Sequence, residues 1–280
     1  MTIPKVRTEA EKVGGEDYRY YIDPLTGERV PGVTSILKMY AKPALVGWAR
    51  KEATRFTLLN IERLADEVRR NGVSEQLVQR TAWASAKQSG GASALGTKVH
   101  KTAEGLLLQI LAGATVNTLQ LPTGDDPTIP FVQPFLTFLR EFDATPAFIE
   151  DTVWNTEDKY AGSFDNGLRI GRFDGKLLLV DIKSGASGIW PETSLQLAAY
   201  ARAGFIIKAN GERFRMPPVD GAAALWLRPE GFALHPMDIG DATWRGFLAL
   251  REVFEWHMKT APQAVRPAVN AHPIVRERRG

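Results

Sequence analysis

Asp165, Asp181, Lys183, Gln196 and Tyr200 fall within one stretch, Ala161 to Tyr200, and their spacing points to shared chemistry. The run Leu177-Leu178-Leu179-Val180 reads as a strand buried on both faces, and it delivers Asp181-Ile182-Lys183 at its end. Side chains alternate along a strand, so Asp181 and Lys183 share one face while Ile182 takes the other. The Phe173-Asp174-Gly175 turn just before this run is a hairpin signal. Such a hairpin folds the segment carrying Asp165 against the strand carrying Asp181. Two carboxylates and an ammonium then meet at one sheet edge, where desolvation is costly unless they are paired or bound. Carboxylates suit a hard cation such as Mg²⁺ or Mn²⁺. The lysine can polarise a phosphoryl oxygen or help deprotonate a water. An isolated Asp-x-Lys is ordinarily a solvated strand end. Here it follows Gly162-x-x-Asp165 and precedes a helical pattern that places Gln196 and Tyr200 four residues apart.

Other residues are candidates for the same site. Residues 93–113 carry a helical apolar stripe, with Gly96-x-x-x-His100 near its start and Glu104 four residues on, sharing a face with His100. A lone helix histidine is ordinarily structural, although imidazole is also a fair ligand for Mn²⁺. Glu104 is suited to support the histidine or simply the helix. Glu150 closes the strand-like Phe148-Ile149-Glu150, where a bare glutamate is more often a surface charge. Arg50, Lys51 and Arg55 lie on a helical pattern within 43–89 and read either as a solvated face or as a basic wall for a polyanion. Arg228 ends the buried run Ala222 to Leu227, within reach of a phosphate.

The series Gly162-x-x-Asp165, Asp181-Ile182-Lys183-Ser184-Gly185 and Gln196-x-x-x-Tyr200 resembles the PD-(D/E)XK nuclease superfamily. The similarity is greatest to its RecB-like branch, which includes phage recombination exonucleases and CRISPR-associated adaptation nucleases. It runs from about Gly96 to Tyr200. Pro31-Gly32-Val33-Thr34-Ser35-Ile36-Leu37 resembles a signature of phage members; read on its own, it is a hairpin feeding a Ser/Thr-capped helix. The resemblance implies an α/β fold of the restriction-endonuclease type, a central mixed sheet flanked by helices, with an N-terminal helical region. It implies that His100, Asp165, Asp181 and the Ile182 carbonyl hold one or two Mg²⁺ or Mn²⁺ ions. Lys183, Gln196 and Tyr200 would assist catalysis, and Glu150 would lie near the metals. The activity implied is metal-dependent DNA exonuclease action in phage or bacterial recombination or repair, with DNA and a single-strand annealing protein as partners. A structure-specific DNA endonuclease of the same fold, or a non-catalytic DNA-binding module, are the alternatives.

Composition bounds these expectations. The chain has 280 residues, 44% hydrophobic and 24% charged, with a net charge of +3, which permits a phosphate-binding surface without requiring one. There is no cysteine, so the iron–sulfur cluster of many CRISPR-associated relatives is excluded. No apolar run of about 18 residues marks a membrane helix. The opening residues lack the apolar core of a signal peptide, so a cytoplasmic location is expected, the host's if the source is a phage. Three regions are expected: a hairpin and helices over 1–92 forming part of a DNA channel, a nuclease core over 93–260, and a flexible basic tail over 261–280. Within them, 1–16 reads as a loose leader, 114–129 as a loop with a short strand, Phe148–Trp154 as one strand, Glu192–Lys208 as a helix, and Asp241 as the N-cap of the last helix.

Overall fold

The computed structural model describes residues 4–41, 43–82 and 84–267, without the side chains of 43–45 and 84–93. In chain order the elements are β1 (Thr8–Val13), β2 (Glu16–Ile22), β3 (Arg29–Pro31), α1 (Val33–Ile36), α2 (Pro43–Leu59), α3 (Ile61–Asn71), α4 (Glu75–Ala82) and α5 (Ala84–Leu111). There follow α6 (Ile129–Glu141), β4 (Ala144–Ile149), β5 (Thr152–Asn155), β6 (Tyr160–Ser163), β7 (Asn166–Ile170), β8 (Lys176–Lys183) and α7 (Glu192–Ala201). The remainder is β9 (Phe205–Ile207), β10 (Arg213–Arg215), β11 (Gly221–Arg228), β12 (Gly231–Met237), α8 (Asp241–Lys259) and α9 (Ala261–Ala264). The fold is mixed α/β with a central mixed sheet flanked by helices.

That central sheet has the order β12-β11-β8-β7-β4. Only β8 and β11 run parallel; the other neighbours are antiparallel. The alternation of β8 sorts its side chains into two cores. Val180 and Ile182 pack with Val99, Leu106 and Leu107 of α5 and with the phenylalanine-rich face of α6. Leu179 packs on the opposite face with Leu197 and Tyr200 of α7 and Phe247 and Phe254 of α8. A strand so enclosed needs apolar residues on both faces, which explains its unbroken Leu-Leu-Leu-Val run.

Two smaller sheets adjoin it, β1-β2-β3 and β10-β9-β5-β6. The residues expected to form a loose leader instead include β1, paired in register with β2 from Thr8↔Tyr21 to Val13↔Glu16. The two intervening residues, Gly14 and Gly15, have φ of 60° and 88°, the left-handed conformations a two-residue hairpin needs. Tyr18 and Tyr20 of β2 reach the core shared by α7 and α8, so this hairpin is packed on the central layers.

Several expected boundaries move. The single strand expected over Phe148–Trp154 is two, because the backbone turns left-handed at Glu150 (φ 51°) and passes from the central sheet to its neighbour. The helix expected over Glu192–Lys208 ends at Ala201, and Phe205–Ile207 pair as β9 with β5 and β10, where β-branched Ile206 and Ile207 suit a strand. Residues 112–128 contain no strand; side-chain bonds such as Gln120 N to Gln109 Oε1 (2.7 Å) satisfy the loop. Gly32, not a serine or threonine, precedes α1, and Ser35 Oγ instead bridges the backbone N (2.7 Å) and O (3.1 Å) of Arg19. Gly240 is the N-cap of α8, with Asp241 as its first helical residue, paired to Arg202 at 2.7 Å. The helix spanning the expected 92/93 division is α5, which begins at Ala84. Of the expected C-terminal tail, 261–264 form α9 and 268–280 lie outside the described residues.

Candidate active site

The hairpin β4–β5/β6–β7 crosses from the central sheet to the smaller one, and both of its strands break at the crossing. Glu150 N donates to Asp165 O (2.8 Å) and Phe164 N to Asp151 O (3.1 Å), so the two breaks face each other. Asp165 thereby sits just beyond β7, level with the end of β8. The last β7–β8 pair is Asn166↔Val180. Ile182 therefore has no β7 ladder partner, and its N–H donates to Asp165 Oδ2 instead (3.0 Å). Asp165 and Asp181 are thus adjacent because one strand stops where the other continues.

From α5, His100 Nδ1 stands 3.1 Å from the same Asp165 oxygen. Lys183 Nζ lies 2.6 Å from Asp181 Oδ2, on the face that alternation predicts. From α7, Gln196 Nε2 donates to Asp181 Oδ1 (3.4 Å) and to Tyr200 Oη (3.1 Å). Gly162 explains itself here: a Cβ at that position would meet Tyr200 Cε1 at 2.6 Å, so only glycine lets the buried tyrosine ring reach its place. Glu150 pairs with Lys5 at 2.7 Å. All five residues that opened the sequence argument converge, joined by His100, and Glu150 stands near Asp165 and Glu104, whose charges act on it.

The electrostatics separate the two aspartates. Burial disfavours a charge on either. At Asp165 the His100 charge and hydrogen bond, the Lys183 charge and the Ile182 N–H outweigh that cost and hold its carboxyl below the usual range. Asp181 is 3% exposed; burial and then the Asp165 charge push its carboxyl up to about 6, against the pull of Lys183. Burial lowers the Lys183 and His100 affinities for protons, but the aspartates more than restore them, and both are raised. Burial, partly countered by Lys5, raises Glu150. Burial also raises the Tyr200 hydroxyl well above its ordinary value, so it stays neutral. Two neighbouring carboxyls with affinities driven apart are the arrangement acid–base chemistry needs.

The donor set bears on a cation. Among the described residues, no three His, Cys, Asp or Glu side chains converge on one point as they stand. The carboxylates are instead engaged by the site's own side chains, Asp165 by His100 and Asp181 by Lys183. Asp181 Oδ2 is buried, and the Lys183 ammonium 2.6 Å away is its partner. Two adjacent carboxylates beside an imidazole are donors of the kind that Mg²⁺ or Mn²⁺ takes.

His100, Glu150 and Lys183 line a cleft of about 510 Å³ with Lys5, Gly96, Thr97, Lys101, Glu104, Ser184 and Gly185, whereas Asp165, Asp181, Gln196 and Tyr200 are not part of its wall. Lys5 and Lys101 had no signal in the sequence: one lies in an apparent leader, the other is one of many helix lysines. Arg50, Lys51 and Arg55 do not line this cleft; they flank a separate groove on α2 with Thr54, Leu58 and Leu59. Arg228 does not line the cleft either. Its Nη1 donates to Ser184 O (2.8 Å), and Glu230 lies 3.8 Å from its Nε. Scanning the sequence against protein-family models finds no match, and a search of curated proteins finds no relative.

Proposed function

We propose that the chain is a divalent-metal-dependent deoxyribonuclease of the PD-(D/E)XK type, acting as an exonuclease. The observation that carries this reading is the meeting of Asp165 and Asp181 at adjacent strand ends, with Lys183 on the Asp181 face and His100 on Asp165. The net reaction adds water across a phosphodiester: an O–P bond forms from water, the bridging P–O bond breaks, and the departing oxygen leaves with a proton. Asp165, Asp181, His100 and the Ile182 carbonyl would hold the ion, which when bound supplies a polarised phosphoryl oxygen and a more acidic water. The Lys183 ammonium, 33% exposed and facing the cleft, suits a non-bridging phosphate oxygen. Gln196 fixes the Asp181 carboxylate from beneath and is itself fixed by Tyr200.

Recombination or repair of phage or bacterial DNA, a single-strand annealing partner and a cytoplasmic site follow from the family resemblance and belong to the same proposal. Among the described residues no helix is long and apolar enough to cross a membrane.

The test uses end-labelled linear duplex, single-stranded DNA and closed circular DNA, each with Mg²⁺, Mn²⁺ or EDTA, and Lys183→Ala alongside. Metal-dependent loss of linear DNA alone, reduced at least a hundredfold in the variant, is expected. Cutting of the circle would reassign the chain as an endonuclease. Binding without any metal-dependent cleavage would leave a DNA-binding module and withdraw the catalytic assignment.

A further inference from the structure

Trp226 is a large aromatic side chain beside the cleft that the proposed chemistry does not use. It pairs in register with Lys183 across the parallel β8–β11 ladder, so the two side chains stand on the same face of the sheet. Its neighbour on that face, Ala224, is opposite Asp181 and too small to intervene. The indole is half-buried, and its Nε1 donates to Gly185 O at 2.8 Å, in the loop that forms one wall of the cleft. Arg228, two residues on, ties down the adjacent Ser184 O. The ring is therefore held in one orientation with its polar atom satisfied. An indole fixed in this way offers its remaining exposed surface to a flat apolar partner, and nucleobases are such partners. A base inside a duplex has its faces covered by its neighbours, whereas an unpaired base can leave the stack.

We propose that Trp226 is a stacking platform for an unpaired nucleobase next to the phosphate held at Lys183, so that the site takes a single-stranded segment of DNA. This rests on the nuclease reading above. Stacking is worth roughly a factor of ten in affinity per base, and it does not depend on which base is present.

The experiment is fluorescence anisotropy on a short labelled single strand, the same strand with abasic sites, and a blunt duplex, in Ca²⁺ and separately in EDTA. The unmodified protein should bind the strand with bases about tenfold more tightly than the abasic strand. Trp226→Leu should bind both alike, and Trp226→Phe should recover most of the preference. Both variants lack the N–H to Gly185, so a difference between them reports the ring and not the loop. Equal binding of the intact and abasic strands by the unmodified protein, or a preference that survives in Trp226→Leu, would overturn the platform and leave the nuclease reading standing. Tighter binding of the blunt duplex than of the single strand would overturn the single-strand assignment. No binding of any DNA in either buffer would overturn both readings.

Discussion

Asp181 carries a charge that its surroundings disfavour. Its carboxyl is raised to about 6 from an ordinary 3.8, with burial and the Asp165 charge as the causes. A carboxyl whose affinity is higher folded than unfolded contributes stability that is complete below 3.8 and is lost as the pH rises through 6. Asp181→Asn mimics the protonated form permanently. Without metal, it should therefore be more stable than the parent at pH 8, by about 1–3 kcal/mol, and level with it at pH 4. Urea unfolding in EDTA at the two pH values checks this; a variant less stable at pH 8 would mean that the Lys183 pair outweighs burial. A second expectation concerns Asp165, whose Oδ2 lies 3.1 Å from His100 Nδ1. If these oxygens take Mn²⁺, saturating ion should raise the melting temperature of the parent by about 5 °C and that of Asp165→Asn far less. Equal shifts in both proteins would place the ion elsewhere.

At the scale of elements, the site depends on how closely α7 approaches β6. Tyr200 is 1% exposed and its ring lies against Gly162, where even a methyl group would come within 2.6 Å. Gly162→Ala must push β6 or α7 aside, at a cost of about 1–3 kcal/mol. Because Gln196 bonds both Tyr200 and Asp181, the same displacement should loosen its hold on the aspartate. Adding Tyr200→Leu to Gly162→Ala should recover part of the stability, and unfolding of the single and double variants measures that coupling. Full additivity would show that the glycine is not there for the tyrosine. The broken hairpin is the other positioning device: it ends β7 at Asn166, and that gives the Ile182 N–H to Asp165.

Over the whole molecule, the N-terminal residues belong to the fold that forms the cleft. Val6 is 5% exposed and packs with Tyr21, Val30, Trp154 and Ile207, while Lys5 beside it reaches Glu150 in the cleft wall. Val6→Ala should cost about 1–2 kcal/mol in global unfolding, since burying a valine side chain is worth about that much or more. A change within experimental error would show that the segment is only laid on the surface. Two cores on opposite faces of one sheet make the protein a layered α/β structure, and the cleft lies where the layers meet at the end of β8.

The sequence by itself determined the central layer and most of the site. A doubly buried strand announces itself as a continuous apolar run, and its period of two dictates that Asp181 and Lys183 share a face. Helical spacing likewise put Gln196 beside Tyr200 and His100 beside Glu104. Local rules reach that far because they act over one turn or two strand positions. Residues 1–16 read as a loose leader because the polar residues of β1 give little alternation, so that strand shows only through its pairing with β2. What only the tertiary structure decided are relations between distant segments. These include the crossing between sheets at Glu150 and Asp165, the early end of α7 where β9 finds partners, and Lys5 entering the cleft from the chain's start. Arg228 shows the limit most plainly. Its position at a strand end suggested a phosphate contact; the structure adds that one of its N–H groups goes to a carbonyl 44 residues earlier, a partner that no local pattern encodes.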